Sequence, residues 1–263
     1  MNFQLSEDQR AFADMASGLF ADYCGDEQLR EHDASGAPFM QALWQQCVAA
    51  GLHTILVPEA QGGLGLGMTE LMAVLEQQGR ALALVPLWET QLAVAALARF
   101  APAALPQVLD EALSGQAPLA LSLAGLAQSR GPSLHLERTE GGWTLRGQAH
   151  AVPLGGQARH ALLPAQATDG PRLVLVDLAQ AGVQRTEGTS QHHQGVADLA
   201  FGAIALAADN VLPVAATAWT EQRAIACLAA LQLGVTQEQL RRTVEYVSER
   251  QQFGRAIGSF QLV

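Results

Sequence analysis

The sequence contains no lysine, so arginine supplies every permanent positive charge on its side chains. Its 263 residues carry 25 Asp and Glu against 15 Lys and Arg, a formal net charge of -10 at pH 7. This excess of negative charge argues against nucleic acid or an anionic membrane as the main partner. An anionic ligand must instead be held by arginine, by helix N-termini or by backbone amides.

Cysteine and long hydrophobic runs are also scarce. Cys24, Cys47 and Cys227 are far apart and lie in apolar helical patterns, which favours reduced core residues over disulfides or a zinc site. The apolar window 92–98 is followed at once by Arg99 and is far shorter than the roughly 20 residues of a transmembrane helix. No basic segment precedes a hydrophobic stretch at the start of the sequence, so we expect a cytoplasmic protein.

Residues 1–116 are predicted to be helical, with helical spacing of apolar residues and capping signals such as Ser6 before Glu7 and Asp8. Glycines at 62, 63, 65 and 67 interrupt this pattern. A dinucleotide-binding loop would need a strand before it, a helix after it and a later acidic partner for the ribose. That context is missing, so the glycines predict a close backbone approach instead.

From residue 119 the sequence changes to short runs rich in Leu, Val and Thr, separated by Gly, Pro and charged residues, which predicts strands. A hairpin turn is predicted at 140–142. The candidate strands are 119–123, 134–138, 143–146, 161–165, 173–177 and 196–206.

A helical pattern returns at Thr217 and continues to about Arg250, which corresponds to a rod on the order of 50 Å long. Its apolar positions need partner helices that are missing from this chain or come from another one. We therefore predict three domains, at 1–116, 117–213 and 214–263, the last incomplete. The apolar positions of the rod are Ile225, Leu228, Leu231, Val235, Leu240, Val244 and Val247.

Four places together resemble the acyl-CoA dehydrogenase family, flavoenzymes that desaturate acyl-CoA thioesters. They are the opening helix at 5–10, the glycine turn at 57–67 with residues 75–80, the segment 198–201 leading to 210–212, and Tyr246 with 250–254 and 260–261. The resemblance implies an α+β fold: an N-terminal all-α domain, a central β-barrel or sandwich, and the start of a C-terminal four-helix bundle. It identifies the chain as a divergent member whose C-terminal helical segment is absent from the sequence.

The resemblance also implies an FAD site. Arg250 is expected to pair with the FAD pyrophosphate, Gln252 and Phe253 to lie along the cofactor, and Gln261 to hold its adenosine end, with the arm reaching the flavin of a neighbouring subunit. A guanidinium fork matches two phosphate oxygens, which supports this role for Arg250. The alternatives are an exposed arginine stabilised by the helix dipole and, for Phe253, a core anchor.

The central region departs from the family pattern. The usual Thr-Glu-Pro-x-Ala-Gly-Ser-Asp stretch corresponds here to residues 121–130, in which only Ser122, Gly125 and Ser129 could contact a flavin in a similar way. The second flavin-contacting strand corresponds to residues 149–156 and lacks the usual hydroxyl. The sequence thus allows a chain that binds its flavin loosely or serves only a partner's flavin.

Desaturation requires a carboxylate that removes the α-proton of the thioester. In most of the family this base lies in a segment beyond Val263, and in a minority it lies at the position that matches Ala224 here. Glu221 is the only carboxylate nearby, and an exposed partner of the helix dipole is the simpler interpretation of it. No metal site is predicted, since His192 and His193 suit a solvated loop, and Arg241 and Arg242 suit a solvated face or a CoA phosphate.

Three hypotheses follow. The chain is an FAD-dependent acyl-CoA dehydrogenase, or a base-lacking subunit of a hetero-oligomeric one that contributes FAD contacts in trans, or a non-enzymatic helical module. The family resemblance implies an acyl-CoA substrate, an electron-accepting flavoprotein and a homo- or hetero-oligomer, a dimer or tetramer.

Overall fold

A computed structural model describes residues 4–116 and 118–260. The α-helices in this part of the chain are α1 (Glu7–Tyr23), α2 (Asp26–Ser35), α3 (Gln41–Ala49), α4 (Met68–Ala81), α5 (Leu87–Phe100), α6 (Pro106–Ser114) and α7 (Val214–Glu249). The strands are β1 (Ala120–Leu121), β2 (Leu134–Thr139), β3 (Gly142–Pro153), β4 (His160–Ala167), β5 (Gly170–Asp177), β6 (Val183–Thr189), β7 (Gly195–Leu206), β8 (Gln251–Gln252) and β9 (Arg255–Ala256). The predicted α+β class is confirmed.

Local signals account for most of these elements. Ser6 caps α1 as predicted, because its Oγ accepts a hydrogen bond from the Gln9 amide at 3.2 Å while Gln9 Oε1 accepts one from the Ser6 amide at 2.9 Å. Each predicted strand corresponds to an observed one. Strand β6 was not predicted, because its residues are largely polar and exposed and show no buried face.

Seven strands form one sheet, which was predicted to be a barrel or sandwich. Strand β4 pairs with β5 along one edge and with β1 and β2 along the other, and the sheet continues through β3 and β7 to β6. No pairing joins β5 to β6 within the described residues, so the sheet is open rather than a closed barrel. The outer edge of β5 is instead occupied by the chain before α7, where the Leu212 amide donates to the Leu173 carbonyl at 2.9 Å.

Strands β4 and β5 are buried on both faces and join the sheet to the helices. Leu162 and Leu175 belong to the core shared with the helices, whereas Leu163 and Val176, one residue along each strand, belong to the core on the other face. This alternation is the two-residue period of a strand. The near-continuous apolar sequence of β4 therefore reflects a central position between two cores.

Helix α7 crosses α4 at backbone contact distance. A Cβ added at Gly79 of α4 would lie 2.0 Å from the Leu231 carbonyl oxygen, and one added at Gly234 of α7 would lie 1.9 Å from the Glu76 carbonyl oxygen. The two glycines therefore allow the helices to approach more closely than any side chain would permit.

The buried face of α7 consists of small residues, whereas several of the large apolar residues that were predicted to need partner helices, missing from this chain or supplied by another, are exposed. Ile225, Leu228, Leu240 and Val244 are between 50% and 64% exposed. Tight packing against α4 selects for small residues, which apolar periodicity does not reveal. The fully buried residues of α7 are Ala216, Thr217, Thr220, Ala224, Cys227, Ala230 and Gly234.

The expectation of reduced core cysteines is confirmed, since Cys24, Cys47 and Cys227 are all free and buried. Burial raises the pKa of each of these thiols to about 12. Within residues 4–116 and 118–260, no helix has both the length and the apolar composition needed to cross a membrane.

We expect Gly234→Ala to destabilise the protein by about 1–3 kcal/mol, because the new methyl group overlaps the backbone of α4. Gly18→Ala is the matched control. Gly18 is also a helical glycine, in α1, but an added Cβ there meets nothing within 4 Å, so this variant should be neutral or more stable by up to about 1 kcal/mol. Urea denaturation measures both, and equal effects at the two positions would contradict the close helix crossing.

Candidate functional site

A cavity of about 540 Å³ lies beside the crossing of α4 and α7. Its walls come from α2, the connection between α4 and α5, the first turn of α5, the end of β3, the loop after β6 and the middle of α7. The lining residues are Leu29, His32, Asp33, Gln78, Gly79, Leu82, Ala83, Leu84, Val85, Trp88, Glu89, Pro153, His192, His193, Gln194, Leu228, Leu231 and Val235.

Much of this wall is hydrocarbon. Helix α7 contributes Leu228, Leu231 and Val235, and the α4–α5 connection contributes Leu82 and further aliphatic residues. None of the α7 residues that line the cavity is ionisable. A cavity of this size and composition suits a largely apolar ligand.

Glu89 is a buried carboxyl in this wall. No role was predicted for it from the sequence, and its side chain is only 3% exposed. Gln194 Nε2 donates a hydrogen bond to Glu89 Oε1 at 3.1 Å, while Glu89 Oε2 has no partner in the described part of the chain. Burial raises the pKa of Glu89 to about 7, and hydrogen bonds from its own backbone amide and from Gln194 oppose this only partly. Near neutral pH this carboxyl therefore exists as both acid and carboxylate.

Gln78 fixes the wall next to Glu89. Its Nε2 donates to the carbonyl oxygens of Ala83 at 3.0 Å and Val85 at 2.8 Å, which ties the α4–α5 connection to the end of α4. Leu82, in that connection, has a left-handed backbone with φ 53°. The amide oxygen of Gln78 has no partner among the described residues.

Histidines lie at another part of the cavity. His193 Nδ1 is 3.6 Å from Asp33 Oδ1, and His192 Nε2 is 3.2 Å from Gln194 Oε1. Burial lowers the pKa of His32. His192 and His193 are exposed, as predicted, but they also line the cavity. In residues 4–116 and 118–260 no group of three His, Cys, Asp or Glu is placed to hold a metal ion.

A second cavity, of about 580 Å³, adjoins the first and shares Leu29, Gly79, Leu82 and Val235 with it. Its polar wall is an ion-pair network on α7. Hydrogen bonds from Arg241 and then Arg242 lower the pKa of Glu238 to about 2. Arg242 Nη2 also lies 2.9 Å from Asp26 Oδ1 and so ties α7 to α2. Both arginines are thus exposed but already paired, which supports the predicted solvated face.

The C-terminal arm, residues 250–260, holds three of the predicted cofactor contacts together. Strands β8 and β9 form a hairpin, closed at its base by a hydrogen bond of 2.9 Å from the Ile257 amide to the Arg250 carbonyl. Arg250 is exposed and forms no ion pair with the described residues. Phe253 is 94% exposed, so it is not a core anchor within this chain. Gln252 is also exposed, and Gln261 lies outside the described residues.

Aromatic and cationic side chains cluster on this arm. The rings of Phe253 and Phe260 meet edge to face with centroids 6.3 Å apart, and the Arg255 guanidinium lies 3.9 Å from the centroid of Phe260. Phe253 has φ 52°, so the hairpin turn presents this ring on a strained backbone. The arm thus offers cations, amides and an uncovered ring on one surface.

Ser122 lies elsewhere, directly after β1, and is buried. Its amide donates to the Leu162 carbonyl at 3.2 Å and its Oγ accepts from the Ala124 amide at 3.3 Å, which leaves the hydroxyl proton to donate. The structure therefore brings Arg250, Gln252 and Phe253 together and separates Ser122 from them. None of these four residues lines the cavity.

The base positions on α7 carry no carboxylate that faces the cavity. Ala224 is buried, with 3% exposure, and Glu221 is half-buried. Neither lines the cavity, which α7 meets one turn further on, at Leu228. Glu89 was overlooked because an acidic residue in the first turn of a helix is ordinarily a solvated dipole partner. The signal that could have revealed it is its isolation as the only charge in residues 81–98.

The backbone amides of the glycine turn donate to partners within the chain. Gly63 would place a Cβ 2.2 Å from the Val57 carbonyl oxygen, so the segment folds onto itself, as predicted. The amides of Gly63 and Gly65 donate to the carbonyls of Pro58 and Val57. Donors that are used internally cannot hold a phosphate, so this turn is not a nucleotide loop.

Family models match both ends of the chain. Residues 6–116 match the family described as "Acyl-CoA dehydrogenase, N-terminal domain", and residues 212–263 match "Acyl-CoA dehydrogenase, C-terminal domain". A curated relative from Mycobacterium tuberculosis (strain ATCC 25618 / H37Rv), acyl-CoA dehydrogenase FadE27, is 34% identical over 266 residues. That match covers 100% of this chain and 71% of the relative.

Solved structures agree with this likeness. A structure described as the Tcur3481-Tcur3483 steroid ACAD G363A variant is similar with a TM-score of 0.90 and 34% identity, over 98% of this chain and 71% of that one. The ChsE4-ChsE5 complex from Mycobacterium tuberculosis is similar with a TM-score of 0.92 and 30% identity, over 100% of this chain and 72% of that one.

The burial of Glu89 predicts a pH-dependent stability. A carboxyl whose pKa rises on folding stabilises the fold fully below the unfolded value near 4.5, and this contribution is lost as pH rises to about 7. The free energy of unfolding of the wild type, compared with that of Glu89→Gln, should therefore fall by up to about 3 kcal/mol between pH 4.5 and pH 8. Urea denaturation across this range measures the loss. Glu221→Gln is the control outside the cavity, and an equal trend for both variants would contradict the assignment.

Proposed function

The chain belongs to the acyl-CoA dehydrogenase family, and we propose that it takes part in the FAD-dependent α,β-desaturation of an acyl-CoA thioester. The observation that supports this most directly is the cavity between α7 and the α4–α5 connection. Its aliphatic wall suits the hydrocarbon part of an acyl group. Burial of the acyl group there excludes water from around the reacting carbons, which strengthens the electrostatic interactions that stabilise an enolate-like charge.

Residues of the C-terminal arm fit an FAD molecule by their chemistry. Arg250 presents a guanidinium without an ion-pair partner among the described residues, and Gln252 presents an exposed amide beside it. A planar guanidinium binds two oxygens of a pyrophosphate, and the uncovered ring of Phe253 can pack against a heterocycle. When bound, FAD supplies the acceptor for the hydride that leaves the β-carbon.

Because the side chain of Phe253 is almost fully exposed, we propose that the arm serves the FAD of a neighbouring subunit. Ser122, by contrast, is buried beside the sheet, where its hydroxyl proton is available to a flavin held by this chain. The two sets of contacts lie on separate elements, so on this proposal each FAD is held by two subunits.

A second candidate function is favoured by α7 itself: a base-lacking subunit of a mixed oligomer. The α7 residues that line the cavity are apolar, and Ala224 occupies the position of the base used by a minority of the family. Two of the similar structures carry paired names, and one is described as a complex of ChsE4 with ChsE5. The partner chain would then supply the carboxylate, and this chain would supply FAD contacts in trans.

Arg250→Ala should lower the FAD affinity of the assembled enzyme by about tenfold or more, because each charge-assisted hydrogen bond to a phosphate contributes about 1.5–3 kcal/mol. Arg250→Lys should retain part of the FAD affinity, since lysine keeps the positive charge but cannot form the two parallel hydrogen bonds of a guanidinium. The measurement is FAD released from the assembly, followed by flavin fluorescence. Arg146→Ala, which removes an exposed arginine paired with Glu137 on β2, is the control. If Arg250→Ala retains FAD as well as Arg146→Ala does, or better, the proposed role of Arg250 is wrong.

The two candidates differ in what the purified chain does alone. As a complete dehydrogenase it should be yellow and lose its flavin absorbance when acyl-CoA is added. As a base-lacking subunit it should do so only when co-expressed with a family member that carries the catalytic carboxylate. Anaerobic titration with acyl-CoA distinguishes them, since rapid bleaching of the isolated chain would eliminate the second candidate. If neither preparation binds FAD, the proposed function itself is wrong.

A further inference from the structure

The buried carboxyl of Glu89 is the feature of the cavity that desaturation does not require. Glu89 and its partner Gln194 are 3% and 9% exposed, and both line the cavity. A carboxyl oxygen that is buried without a hydrogen bond destabilises the fold, whether the group is neutral or charged. Here Glu89 Oε2 is such an oxygen among the described residues, although the same carboxyl is held in place through Oε1.

A purely structural role accounts for only half of this arrangement. The hydrogen bond from Gln194 to Glu89 Oε1 joins α5 to the loop after β6, and a glutamine at position 89 could accept it equally well. Glu89 lines the cavity beside aliphatic residues and keeps one oxygen free of hydrogen bonds to the described residues, which is what recognition of a polar substituent requires. Specific sites of this kind combine a hydrocarbon surface with very few polar groups that fix orientation.

We propose that Glu89, positioned by Gln194, recognises a single hydroxyl or ketone oxygen on a bulky, mostly hydrocarbon acyl group. The cavity volume of about 540 Å³ falls in the range of roughly 300–1,000 Å³ that holds compact organic ligands. Trp88, Leu228 and Leu231 offer broad apolar contact to such a group. The identification of the ligand as an acyl group rests on the proposed function, whereas the recognition of its oxygen rests on Glu89 alone.

The carboxyl of Glu89 can form a hydrogen bond with either a ketone or a hydroxyl. In its protonated form it donates a hydrogen bond to a ketone, and in its ionised form it accepts one from a hydroxyl. The other ionisable groups around it are His32, Asp33, His192 and His193 in the cavity wall and Cys227 on α7. All of these remain in a Glu89→Gln variant, so the comparison isolates the proton on Glu89.

The test uses compact bicyclic probes that carry no thioester: 2-decalol, 2-decalone and decalin. Isothermal titration calorimetry with the purified chain measures their affinities. We expect 2-decalol to bind wild type about tenfold more tightly than decalin, and Glu89→Leu to remove this preference. Glu89→Gln should retain it, because the amide still offers a donor and an acceptor. Equal affinities for the three probes, or an unchanged preference in Glu89→Leu, would overturn the proposal.

A pH series sharpens the assignment to the carboxyl. Between pH 5.5 and pH 8.5 the affinity of wild type for 2-decalone should fall by about tenfold, because the donor proton is lost, while that for 2-decalol should not fall. In Glu89→Gln the affinity for 2-decalone should stay constant. If Glu89→Gln shows the same fall as wild type, the histidines rather than Glu89 control binding and the proposal fails.

These outcomes are separate from those for the proposed function. The probes need neither flavin nor a catalytic base, so discrimination by Glu89 can be present when no desaturation occurs, and in that case only the proposed function fails. Conversely, if the assembly desaturates an unsubstituted acyl-CoA while wild type and Glu89→Leu bind the probes alike, only the inference about Glu89 fails.

Discussion

The close approach of α4 and α7 is the constraint on which the rest of the structure depends. Because Gly79 and Gly234 have no side chains, the two backbones touch, and α7 can lie directly beside the end of α4. Gly79 lines the cavity, and so do Leu228 and Leu231 on the neighbouring turns of α7. The same packing that closes the helical core therefore also forms the wall of the cavity. It leaves the opposite face of α7, with Ile225 among others, exposed.

Within that wall two effects compete at Glu89. Its place in the first turn of α5 and the hydrogen bond from Gln194 favour the ionised form, while nearly complete burial favours the neutral form. Burial is the larger effect, so the pKa rises to about 7. Glu89 also lines the cavity and keeps one carboxyl oxygen without a hydrogen-bond partner among the described residues, which is why we assign it to ligand recognition.

Much of the fold could be predicted from the sequence, because α1 has a complete capping box at Ser6 and β4 and β5 are apolar runs bounded by turn residues. Strand β6 could not, because an exposed edge strand has no periodic pattern. The face of α7 that packs on α4 could not be predicted either, since alanine and glycine signal close contact only once the partner helix is known. Glu89 was missed for a similar reason: the side chain that holds it, Gln194, lies 105 residues away in sequence.

The exposed features of the chain point to contacts outside it. Phe253 is almost fully exposed on a backbone with positive φ. Strained backbone conformations of this kind cluster at active sites and ligand-binding sites. Leu240 and Val244 are likewise uncovered along α7. The cavity, meanwhile, holds an apolar wall on α7 and no α7 carboxylate. On our proposal these facts have one explanation: this chain shapes the acyl group's surroundings and covers a neighbour's cofactor, while the proton acceptor comes from outside the residues described.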